Sequence, residues 1–199
     1  MALSRKSGIG GILAAALLAF SGPCAAELEK LTVCTACHGD DGSGAGFPFV
    51  PIIAGTPAAH LEEALFAYKD GDRSCVGVPV MCEIVMSISD EDLAELADYY
   101  SRKPRISSGE DFDPDLAAAG KVIHDRQCAI CHVMPDDPQV EDALGIPLHG
   151  QRAAYLRMAL GAYLTGDRKT LVPEMEKNIR TLDASSIEAL AHYYSSYAP

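Results

Sequence analysis

The sequence predicts an all-α fold made of two tandem copies of one small domain. Three observations carry that prediction. Apolar residues recur at helical spacing along the chain, and no segment shows the two-residue alternation of a half-buried strand. The motif C-x-x-C-H occurs twice, as CTACHG at 34–39 and CAICHV at 128–133, 94 positions apart. The flanking sequence repeats with it. ISDEDLAELADYYS at 88–101 returns at the same offset as LDASSIEALAHYYS at 182–195, and AAHLEEALFAYKDGDR at 58–73 returns one residue further on as AAYLRMALGAYLTGDR at 153–168.

Residues 1–26 read as an export leader that is removed. Arg5 and Lys6 form a basic start, Ile9 to Phe20 an apolar run shorter than the roughly 20 residues of a membrane span, and Cys24-Ala25-Ala26 a small-residue cleavage site before Glu27. A lipid anchor on Cys24 is disfavoured, because Pro23 precedes it and position 21 is not leucine. The mature chain has no second apolar run, so the expectation is a periplasmic protein without a membrane span. Its formal charge moves from -12 to -14 on loss of the two basic leader residues. Such a surface repels nucleic acid and anionic lipid and favours partners with a basic patch.

The first domain is expected over 27–103, a polar linker with Pro and Gly over 104–112, and the second domain over 113–199. Glu27 to Cys37 should be helical. Ala58 to Lys69 follows as an apolar-periodic helix closed by Asp70-Gly71. Ser89, with Asp92 three residues on, caps a helix reaching Ser101. In the second half Asp113 is a cap and Pro114 sits in the first turn of a helix expected to run to Cys131. Helices over Arg152–Leu164 and Ala184–Tyr197 complete the set. A Gly- and Pro-rich loop follows each C-x-x-C-H motif. Each copy is short for a self-sufficient core, and a buried prosthetic group would add the missing apolar surface.

That group follows from the motif. Two thiols one helical turn apart can each add to a porphyrin vinyl group while the adjacent histidine turns its imidazole to the iron, which is the pattern of covalent heme c. A zinc knuckle would need further Cys or His pairs at finger spacing, and a dithiol redox site would need a βαβ context; the sequence has neither. Two covalent hemes are therefore expected, on Cys34, Cys37 and His38 and on Cys128, Cys131 and His132. A second axial ligand is also needed, and methionine is the usual partner of histidine in electron carriers. Met81 and Met175 are the methionine pair related by the 94-residue offset, each 43 residues beyond its motif histidine. They are the expected ligands, against the alternative that they are core filler.

Cys75 and Cys82 lack counterparts in the second half, where Lys169 and Glu176 stand. A disulfide, two free thiols, or a thiolate replacing Met81 on the iron are the open readings. Pro51 and Pro147 are either plain turn prolines or supply carbonyls to the histidine Nδ1–H. His60, His124, His149 and His192 are expected at the surface or in packing, as are the paired tyrosines Tyr99/Tyr100 and Tyr193/Tyr194.

With these motifs in view, the mature chain resembles the diheme class I cytochromes c. In CTACHGDDGSG, PIIAG, KDGDR and SDEDLAELADYY the first half resembles the c-four (c4) type. In IHDRQCAICHV, LHGQRAAYLRMAL and PEMEKNI the second half resembles the cytochrome subunit of flavocytochrome c sulfide dehydrogenase. The resemblance implies two class I cytochrome c domains, each wrapped around one heme, passing single electrons without a catalytic site of their own. It also implies a partner, an FAD-containing flavoprotein subunit that oxidises sulfide, and a soluble cytochrome as acceptor. No G-x-G-x-x-G fingerprint occurs in this chain, so any flavin lies on another polypeptide. The alternatives are a free diheme carrier of the c4 type feeding a terminal oxidase, and a thiosulfate-oxidising diheme enzyme with a cysteine-ligated heme.

Overall fold

The computed structural model describes residues 23–198 apart from Ala45, Gly77 and Leu171, with side chains from Lys30 onward. The leader expected over 1–26 lies outside the described residues except for the backbone of 23–26. Among the described residues eight α-helices follow one another: α1 Pro23–His38, α2 Ala58–Lys69, α3 Pro79–Met86, α4 Asp90–Ser101, α5 Pro114–Gln127, α6 Ala153–Thr165, α7 Pro173–Ile179 and α8 Ala184–Ser195. A single 3-10 turn spans Val140–Asp142. Among the described residues the β component is one isolated antiparallel bridge, Arg73 to Arg168.

The expected caps form. Ser89 accepts a hydrogen bond from the Asp92 amide (3.2 Å), and Asp113 accepts from the amides of Asp115 and Leu116 (2.9 and 3.1 Å). One boundary differs. α5 stops at Gln127 rather than continuing to Cys131. The carbonyl of Gln127, which the Cys131 amide would use in a longer helix, instead accepts from Asn178 Nδ2 (2.7 Å). The Cys131 amide turns to Cys128 O (3.2 Å), so the second C-x-x-C-H motif is a turn, while the first is the last turn of α1. α3 and α7 were not expected at all.

Each half buries its own apolar core. In the first, Leu61, Ala97 and Tyr100 and the adjoining Val85, Ile88, Leu93 and Leu96 pack with Leu31 and Cys34 of α1. In the second, Ala153, Leu156, Leu190, Ala191 and Tyr194 form the core against Ile123, Leu148 and Leu160. Each fully buried Leu of this kind contributes about 1.5–3 kcal/mol. α5 crosses α8 at Gly120, where a Cβ would stand 2.1 Å from the Ala189 carbonyl oxygen. Only glycine permits that approach.

His124 and His149 prove to be packing residues. They stack edge-on with ring centroids 5.0 Å apart, enclosed by Tyr193 and Tyr194. His124 Nδ1 lies 3.1 Å from the Tyr194 hydroxyl and His149 Nε2 3.2 Å from the Tyr193 hydroxyl.

The two halves meet through the repeated GDR segments. Ser74 N donates to Asp167 O (2.6 Å), and Lys169 N donates to Asp72 O (2.8 Å). Gln151 reaches from the second half to both backbone groups of Ile52 (2.9 Å each), and Arg152 Nη2 donates to Ser43 O (2.9 Å). The segment joining the halves is itself anchored. Arg105 Nη2 donates to the carbonyls of Pro147 and His149 (3.2 and 3.1 Å), and Glu110 accepts from the Ala153 amide at the start of α6 (3.0 Å).

Two outcomes are expected. Gly120→Ala forces α5 off α8 and destabilises the fold by about 2 kcal/mol or more, read as a lower urea midpoint at unchanged slope. Burial, with Coulombic help from His124 and Arg105, pushes the His149 imidazole down to about 4. The unfolded chain, with an ordinary histidine near 6.5, therefore binds the extra proton first. Stability is full above about pH 6.5 and falls by on the order of 3 kcal/mol as pH drops to about 4. His149→Met should flatten that part of the pH–stability curve.

A candidate two-centre heme cleft

One continuous, mainly apolar cleft runs through both halves. Cys34, Cys37, His38 and Met81 line it from the first half, and Cys128, Cys131, His132 and Met175 from the second. The structure thus brings together all eight residues singled out in the sequence. α1 delivers Cys34, Cys37 and His38 from its last turn and a half. The turn after α5 delivers Cys128, Cys131 and His132. All four motif cysteines are free thiols, and burial pushes Cys34 and Cys128 above the ordinary thiol range.

Each motif histidine is held by a backbone carbonyl. His38 Nδ1 donates to Pro51 O (3.2 Å), and His132 Nδ1 donates to Ile146 O (2.8 Å). A carbonyl only accepts, so Nδ1 carries the proton and Nε2 keeps its lone pair. Burial pushes both imidazoles below their ordinary value, against the opposite pull of these hydrogen bonds, which favours the neutral ring that binds metal. The proline reading holds in the first half and fails in the second. Pro147 O is taken by Arg105 Nη2 instead (3.2 Å). The acceptor is Ile146 because Gly145 lets the backbone close on the ring: a Cβ at Gly145 would stand 2.5 Å from His132 Nδ1. Gly145 was missed in the sequence, where one glycine among many carries no signal.

Met81 and Met175 each occupy the third position of a short helix, α3 or α7. Both helices open on proline, Pro79 or Pro173, and turn a buried residue inward, Val85 or Ile179. These pairs keep the 94-residue offset, so the signal was present. Helices of 8 and 7 residues are too short for a periodicity reading over a window of about 11–18 residues.

Cys75 and Cys82 form a disulfide with Cα atoms 5.9 Å apart, within the usual span. It ties the loop before α3 to the residue beside Met81. Neither cysteine lines the cleft.

Four further cleft residues had not been singled out. Arg73 and Arg168 enter from the two halves at the GDR junction beside Tyr155, and Gln151 lines the cleft where it bonds Ile52. Burial alone would raise the Tyr155 phenol, but the guanidiniums of Arg168 and Arg73 hold it below its ordinary value. Arg73 stacks on Tyr68 and Arg168 on Tyr163, 5.2 and 4.6 Å from the ring centroids. Among the described residues neither arginine has a carboxylate partner. This donor set fits two hemes: paired thiols for the vinyl groups, a neutral imidazole and a thioether for each iron, apolar walls for the rings, and unpaired cations for the propionates.

No family model matches the chain. Cytochrome c4 of Pseudomonas aeruginosa is 33% identical over 157 residues, 74% of this chain and 74% of that protein. Cytochrome c-554(548) of Halomonas halodenitrificans is 41% identical over 81 residues, 41% of this chain but 96% of its own length. Among solved structures, reduced cytochrome c4 from Pseudomonas stutzeri superposes with a TM-score of 0.69 at 27% identity, over 89% of this chain and 100% of that one. With relatives and structure in agreement along most of the chain, it belongs to the diheme class I cytochromes c of the c4 type.

Proposed function

We propose that this protein is an exported electron shuttle with two covalent heme c groups, moving electrons one at a time between redox partners in the periplasm. The observation that carries the reading is the shared cleft, in which each half presents two free thiols, a carbonyl-held histidine and a methionine. Cys34 and Cys37 are assigned to one porphyrin and Cys128 and Cys131 to the other. His38 and Met81 would hold the first iron, and His132 and Met175 the second. Heme iron supplies a reversible one-electron couple.

The chain's own residues then keep that couple fast and selective. The Nδ1 hydrogen bonds hold each imidazole in one tautomer and one orientation. The apolar cores around Tyr100 and Tyr194 back the cleft. Arg73 and Arg168, at the junction of the halves, stand where they can neutralise propionates from both sides. Residues 27–103 and 113–199 are the two heme-bearing units, and 104–112 is the strap between them.

A free carrier of the c4 type is the reading best supported, because relatives named cytochrome c4 match along most of both chains. The likeness of PEMEKNI and LHGQRAAYLRMAL to the sulfide dehydrogenase subunit supports a second reading, in which the donor is a bound FAD subunit. Isolation from the native host separates the two: a free carrier elutes alone, and a subunit elutes with a flavin spectrum. The thiosulfate-oxidising reading needed a cysteine on the iron, and Cys75 and Cys82 are bonded to each other.

Mass spectrometry of the mature protein is expected to show the polypeptide from Glu27 plus two hemes; unmodified thiols at both motifs would refute the assignment. Met175→His should lower the potential of one heme and leave the other unchanged. Gly145→Ala, by pushing the ring of His132, should perturb the same heme in the same titration, with heme bound to Cys34 and Cys37 unaffected.

A further inference from the structure

The two ends of the cleft differ in charge. In the second half the loop after the motif is closed on itself, since Gly145 N returns to Cys131 O (3.1 Å). It carries Asp136, Asp137, Glu141 and Asp142, and among the described residues none of these makes an ion pair. At its ends stand two apolar side chains that line the cleft yet face solvent, Ile130 at 91% exposure and Leu144 at 75%. Glu174 of α7 lines the same mouth and is exposed. The basic residues on the flanking helices are Lys121, Arg126, Lys177 and Arg180; Lys121 is paired with Asp125 (2.6 Å) and Arg180 with Glu176 (2.5 Å). Among the described residues no three acidic, His or Cys side chains converge on a point that would hold a metal ion. The carboxylates are therefore a dispersed rim around an apolar centre.

At the corresponding mouth of the first half the loop carries only Asp40 and Asp41, next to the motif, and Asp40 is paired with Lys103 (3.5 Å). Between Ser43 and Ala59, and again between Ser74 and Cys82, there is no charged residue. Phe49, Val33 and Val80 line that mouth and are exposed. Val80 is the repeat counterpart of Glu174. Unpaired acidic charge near the cleft is thus greater on the second-half side.

We infer that the second-half mouth is the docking surface for a redox protein that presents lysines and arginines around its own exposed cofactor edge. Ile130 and Leu144 supply the apolar contact and the carboxylate rim supplies attraction and orientation. This assignment rests on the electron-carrier reading and goes beyond it by naming the face and the chemistry of the partner.

The test uses the reduced holoprotein and a basic cytochrome c as the oxidant, with the second-order rate followed against ionic strength. Neutralising the rim (Asp136→Asn, Asp137→Asn, Glu141→Gln, Asp142→Asn) should slow the reaction about tenfold at low salt and flatten its salt dependence. Neutralising four remote carboxylates (Glu91→Gln, Glu95→Gln, Asp111→Asn, Asp115→Asn) should change the rate less than about twofold, although net charge changes equally. Equal slowing in both variants would mean that only overall charge matters and would overturn the assignment. No slowing in the rim variant would overturn it too. Both variants should keep two hemes and an unchanged rate with benzoquinone, a small neutral oxidant. A wild-type protein without hemes would instead sink the carrier reading itself.

Discussion

The hydrogen bond from each motif histidine to a carbonyl of the loop that follows is the constraint on which the site depends. It fixes which ring nitrogen carries the proton and therefore which one is left to face a metal. It also ties that loop back to its motif, so the walls of the cleft and the ligand are positioned by one interaction. The two halves meet the requirement differently. His38 uses the carbonyl of Pro51 across a 13-residue separation. His132 uses that of Ile146 across 14. The extra residue is absorbed by a glycine pressed against the imidazole.

Duplication supplied two similar halves, which differ at the mouths, at the junction and in one buried cluster of the second half. The disulfide stiffens the approach to Met81, while α7 holds Met175 without one, through Asn178 bonded to the end of α5. The buried His124 and His149 of the second half stand where the first has Lys30 and Ala54, the latter beside Gly55. Gly55 has its own use: a Cβ there would lie 3.0 Å from Arg105, so the strap between the halves passes directly over it. The strap is thus part of the packing of both halves, which keeps their separation short and constant, as electron exchange between two buried centres requires.

For a carrier, binding has to be brief and oriented rather than tight. An apolar centre gives close approach, and a charged rim gives a fast, salt-sensitive encounter. Placing the larger cluster of unpaired carboxylates at one of two mouths allows that end to be chosen by charge while the other is free to meet a different surface.

Much of this was legible in the sequence. The motif spacing expresses covalent chemistry, and the 94-residue offset picked out Met81 and Met175 from among six methionines. Helices α2, α4, α6 and α8 were readable because each runs long enough to show its apolar period. Helices α3 and α7 were not, since seven or eight residues show too little of one. What only the tertiary structure decided are contacts between distant segments. These include the choice of Ile146 over Pro147, the end of α5 at Gln127, the pairing of Cys75 with Cys82, and the meeting of Arg73 with Arg168. The physical reason is the same in each case. Local sequence states which groups can bond, but which partner wins depends on the distance set by everything packed around them.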